Sequence, residues 1–194
     1  METTKLTPQE SLELISRVIG EAKSKYEENG FLYILWGVLI AIAGTGQFVL
    51  LHAGYENISY YPYFLMPVGF LYTIYYISKK KKTSGYNPIS KAISISWAVL
   101  GLNMMLLGFI FHSILQANLL PVILLLQGIG LIVAGAGLSS RLLLFAGIFS
   151  NMAGLFGFWL NPEYHPLLTA AVAIVAILVP GIILMYKNKN EQGI

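Results

Sequence analysis

Six stretches of this chain, residues 31–51, 60–78, 92–115, 119–138, 142–160 and 167–186, contain no Asp, Glu, Lys or Arg. A bilayer core about 30 Å thick is crossed by roughly 20 apolar residues of helix. Each stretch is of that order, so the pattern predicts an all-α membrane protein built as a six-helix transmembrane bundle. Composition agrees, with 56% of residues hydrophobic and 11% charged. Soluble domains carry about 45–50% and about 25%. Residues 31–186 are thus expected to form one transmembrane domain, with 1–30 before it and 187–194 as a tail. In the second stretch Pro62 and Pro67 remove backbone donors, so its outer turn is expected to kink or unwind.

Basic residues set orientation, because cytoplasmic loops keep an excess of Lys and Arg. Lys5, Arg17, Lys23 and Lys25 precede the first stretch, and Lys79, Lys80, Lys81, Lys82 and Lys91 lie between the second and third. Arg141 lies between the fourth and fifth, and Lys187 and Lys189 follow the sixth; these are all 12 basic residues. The intervening links carry only Glu56 and Glu163. The reading is a multi-pass inner (plasma) membrane protein with both termini cytoplasmic. Lys79, Lys80, Lys81 and Lys82 are placed to meet anionic lipid headgroups. The polar, mixed-charge start does not read as a cleaved signal peptide.

Ahead of the first stretch, Thr7-Pro8-Gln9-Glu10 has the form of a capping box with proline at the first helical position. Asn29-Gly30 supplies a stop. Between them Leu12, Ile15, Ile19, Ala22 and Tyr26 recur at spacings of three and four, which predicts an amphipathic helix. Glu13 with Arg17 and Glu21 with Lys25 are i,i+4 pairs on its wet side. Residues 8–28 are a candidate contact surface for a cytoplasmic protein or for a second copy.

Apolar helices in lipid associate through small residues that let backbones approach. Here glycines recur seven apart: Gly30-Gly37-Gly44, Gly101-Gly108, Gly128-Gly135, Gly130-Gly137 and Gly147-Gly154. That period keeps one face along a left-handed crossing. Residues 36–46 also align with 127–137, matching Gly37 with Gly128, Ala43 with Ala134, Gly44 with Gly135 and Gly46 with Gly137. Asn87-Pro88 precedes the third stretch and Asn161-Pro162 the sixth. Three spans per half would make a 3+3 inverted repeat of the kind that recurs in transporters.

Three amides, Asn103, Gln127 and Asn151, fall near the middle of their stretches, where an unpaired amide is costly. They imply interhelical hydrogen bonds or a polar midplane path. His52, His112 and His165 all fall on the outer side, near Glu56 and Glu163, and are candidate ligands for zinc or another divalent metal. No close ligand spacing supports them. The chain has no cysteine, which removes thiolate chemistry. It has no nucleotide-binding loop, no G-x-S-x-G and no basic stripe for nucleic acid. Spans free of Asp, Glu, Lys and Arg also weigh against ion-coupled transport.

A charged helix running into Asn29-Gly30-Phe31-Leu32-Tyr33-Ile34-Leu35-Trp36-Gly37 resembles small bacterial six-span inner-membrane proteins of no assigned function. The resemblance covers residues 11–37 and implies no functional residue. The expected role is a non-catalytic scaffold or partner-binding regulatory subunit. A small facilitator along the midplane amides is the alternative, and a metalloprotein using the outer histidines comes third.

Overall fold

The computed structural model describes residues 7–27, 30–79 and 87–191, with the side chains of 21–27 and 188–191 outside that description. Lys80, Lys81, Lys82 and Asn29 lie outside the described residues. The described residues are mostly helical, with no strand among them. In chain order the helices are α1 (Pro8–Glu27), α2 (Gly30–His52), α3 (Leu65–Lys79), α4 (Pro88–Phe109) and α5 (His112–Leu115). They continue as α6 (Leu119–Gly137), α7 (Arg141–Gly157), α8 (His165–Ala173) and α9 (Val179–Glu191).

Four helices are long and apolar enough to cross a membrane: Gly30–His52, Pro88–Phe109, His112–Gly137 and Pro162–Lys187. The stretches 60–78 and 142–160 fold as shorter helices. In the first, Pro62 lies in a 3-10 turn, Tyr61–Phe64, and Pro67 falls in the opening turn of α3. The 15 residues of α3 reach roughly 23 Å, and the 17 of α7 roughly 26 Å. The stretch 92–115 does not stay one helix. α4 ends at Phe109, and the chain turns through α5 and a 3-10 turn, Gln116–Asn118, with Gln116 at φ 46°. That corrects the outer boundary of this stretch and moves His112 off α4.

The last long helix widens into a π turn at Ile174–Leu178. Pro180 is the cause: it has no N–H, and its ring crowds the carbonyl four residues back, Ala176, inside that turn. α6 and α7 form a tight antiparallel hairpin closed by a Schellman cap. Ser139 takes φ 51°, Ser140 N–H donates to Gly135 O at 2.8 Å and Ser139 N–H to Ala136 O at 3.2 Å.

Two seams hold the bundle. In one, α2 lies along α8, the π turn and α9. A methyl group on Gly37 would sit 2.8 Å from Leu178 Cα, and one on Gly44 would sit 2.6 Å from Pro166 O. In the other, α6 lies along α7, and a Cβ on Gly128 or on Gly147 would meet the other's carbonyl oxygen at 2.8 Å. Leu124, Leu131, Ala134, Leu143, Val172 and Ala176 fill the core between the seams.

The seven-residue glycine spacing therefore marks real close approaches on α2, α6 and α7, and it fails on α4. Nothing lies within 4 Å of a Cβ on Gly101 or Gly108. Nor do the aligned glycines pack equivalently. Gly37 and Gly44 meet the last long helix, whereas Gly128 and Gly135 meet α7. In an inverted repeat Gly128 and Gly135 would face α4. The likeness of residues 36–46 to 127–137 thus does not carry over into matching contacts.

Candidate functional site

α1 opens as its capping box requires. Glu10 N–H donates to Thr7 Oγ1 at 3.3 Å, while Thr7 N–H and Oγ1–H donate to Glu10 Oε2 at 2.7 and 2.8 Å. The Thr7 N–H, seconded by the hydroxyl, holds the Glu10 carboxyl below its usual range. Glu13 and Arg17 pair at 3.8 Å on the exposed side. The second half of α1 docks: Val18 and Ile19 are half-buried, and Asn87 Nδ2 donates to Val18 O at 2.8 Å. The same Asn87 caps α4 by accepting from Ser90 N–H at 3.1 Å. The first half does not dock, and Leu12 and Ile15 stand 67% and 56% exposed. Lys79 lies with its ammonium 4.8 Å from the Tyr75 ring centroid.

Of the three amides, two meet the same seam. Gln127, on α6, is buried and its Nε2 donates to Ser150 Oγ at 3.3 Å; Ser150 in turn donates to Leu124 O at 2.9 Å. Asn151, on α7, donates from Nδ2 to Gly147 O at 3.3 Å and Leu125 O at 3.5 Å. The bonds of Gln127 to Ser150, Ser150 to Leu124 O and Asn151 to Leu125 O staple α6 to α7 where their backbones come closest. Ser150 is the member that sequence reasoning missed. Its spacing from Gly147 and Gly154 put it on the same face and could have shown it. Asn103 does not join them, being exposed on α4.

The three histidines stand on three different helices, α2, α5 and α8. His52 is exposed at the end of α2, with Nδ1 3.0 Å from Phe48 O and its ring against Phe48. His112 is exposed on α5. His165 is buried, with Nδ1 2.8 Å from Ala117 O and Nε2 3.0 Å from Leu160 O. A metal ligand presents a ring lone pair, and here both nitrogens are directed at carbonyl oxygens. His165 instead ties the turn before α6 to the end of the segment after α7. Among the described residues no three His, Cys, Asp or Glu converge as a ligand set.

Two surface clefts flank the bundle. One of about 560 Å³ runs along Ala41, Ile42, Thr45 and Val49 of α2. The other, of about 290 Å³, lies between Tyr60, His112, Ser113, Gln116 and Pro162. None of the three amides lines either cleft. Comparison with known proteins adds no likeness: no family model, curated protein or solved structure matches the chain.

Proposed function

We propose that the chain is a six-span inner-membrane protein with cytoplasmic termini that works as a non-catalytic scaffold or regulatory subunit, with α1 as its partner-binding element. The observation that carries this is the undocked first half of α1. Leu12 and Ile15 expose apolar surface on a helix whose second half is held by Asn87 and α4. An apolar stripe on a helix in water is stable when something covers it. The six-span count takes α3 with its preceding 3-10 turn, and α7, as short spans that local thinning of the bilayer accommodates. Orientation follows from the one-sided placement of the 12 basic residues.

A facilitator would need a polar path between the helices. Gln127 and Asn151 instead donate across the α6–α7 seam, to Ser150 and to Leu125 O, which favours the scaffold. The test uses a photo-crosslinking amino acid at position 12 or 15 of the full chain in living cells, with position 13 as reference. The expected result is a discrete adduct from 12 and 15, weaker at 13, which Ile15→Glu abolishes at 12 and Leu12→Glu abolishes at 15. Selective solute flux through vesicles holding the purified chain, lost in Gln127→Leu, would overturn the scaffold reading in favour of a channel.

A further inference from the structure

Asn103 lies six residues before Phe109, where α4 ends, so it sits roughly 9 Å inside that end of an apolar span. Its side chain is exposed and makes no hydrogen bond among the described residues. Lipid tails offer an amide neither donor nor acceptor, so an amide left facing them is strongly disfavoured. Beside it runs an open apolar strip. Ile95, Val99 and Leu102 are each about half exposed, and with Leu106 they recur at spacings of four, three and four. The opposite face of α4 is occupied, because Ile93 meets Gly137, and Trp97 and Leu100 meet Gly130.

We infer that this outward face of α4 pairs with α4 of a second copy of the chain, the two Asn103 amides hydrogen-bonding to each other across a two-fold axis. The spacing of Ile95, Val99, Leu102 and Leu106 is the heptad spacing that a left-handed helix pair uses. A single asparagine beside such a seam sets register and partner number. The amide carries both donors and an acceptor, so it is its own complement. Two-fold symmetry, with the axis along the membrane normal, brings both copies of Asn103 to one depth. A different protein would have to bring a matching polar group to that depth separately. The proposal does not depend on what binds α1.

The chain has no cysteine, so one introduced cysteine reports one contact. Full-length Leu102→Cys is reconstituted in phospholipid vesicles at low density and oxidised, with exposed Phe145→Cys on α7 as the measure of chance collision. The expected result is disulfide dimer forming several-fold faster at 102 than at 145. Adding Asn103→Leu should lower the dimer fraction about threefold, in keeping with one interhelical hydrogen bond in lipid, and Asn103→Gln should restore it. Equal rates at 102 and 145 would overturn the pairing. So would a dimer fraction unmoved by Asn103→Leu, or a chain that is monomeric alone and associates through 102 only with a different protein in native membranes.

Discussion

α4 and α6 have similar composition and very different surroundings. Both are apolar enough to span, with mean hydropathy of 1.8 for Pro88–Phe109 and 2.3 for His112–Gly137. Yet 6% of the first span is buried against the protein and 44% of the second. α4 carries one glycine pair seven apart and α6 carries two, and each helix carries one amide. On α6 a Cβ at Gly128 would strike Asn151 Nδ2, and Gln127 is tied to Ser150. Among the described residues, nothing packs against Gly101 or Gly108 on α4 and Asn103 has no hydrogen-bond partner. Hydropathy therefore says which segments enter lipid and nothing about which of them pack. Packing is decided by whether a small residue has a facing backbone to approach, and an amide a facing group to bond.

The largest effect should come from filling one glycine on each helix. Gly128→Ala drives a methyl into Asn151 and Gly147, and should destabilise the α6–α7 pair by about 3 kcal/mol, the upper end of ordinary overpacking. Gly101→Ala should be neutral or stabilising, by up to about 1 kcal/mol, since it gains helix propensity with nothing in the way. Equilibrium unfolding in mixed micelles reads both, and equal losses would erase the contrast. Next come the histidines. His165→Ala removes a buried ring that bridges Ala117 O and Leu160 O and should cost about 2 kcal/mol. His52→Ala and His112→Ala, both exposed, should each stay within about 0.5 kcal/mol in the same assay.

Third, Gln127→Leu removes one bond of the seam and should cost about 1 kcal/mol or less. Asn103→Leu should leave the stability of the single chain within about 0.5 kcal/mol. A larger loss would mean that α4 uses Asn103 inside the monomer. The smallest effect concerns pH. The Glu10 carboxyl is held below its usual range by Thr7, so its capping contribution is complete above that range. It is lost as pH falls through the lowered folded value. Hydrogen exchange at the first amides of α1 should speed up over that acid window, and Glu10→Gln should remove the pH dependence.

Much of this was legible from residues alone. Thr7 and Glu10 identify a capping box because the bond partners are three residues apart. Pro62 and Pro67 announce the disturbed entry to α3 because a missing N–H acts locally. The seven-spaced glycines of α2 point to a seam, and Gln127 and Asn151 share glycine-bearing faces that turned out to face each other. The break after Phe109, the burial of His165 between two carbonyls and the unlike packing of Gly37 and Gly128 were not legible. The last two depend on which segment lies opposite, and no local spacing encodes that.

By itself the sequence determined that this protein prefers lipid, how its charges are distributed along the chain and where its N-terminal helix begins. These are properties of single segments, set by transfer free energy, charge and local hydrogen bonding. Only the tertiary structure decided that α2 binds the last long helix, that α6 binds α7, and that α4 keeps one face open. Those outcomes are differences between helix pairs of nearly equal hydropathy, so they rest on backbone approach at particular glycines and on single hydrogen bonds.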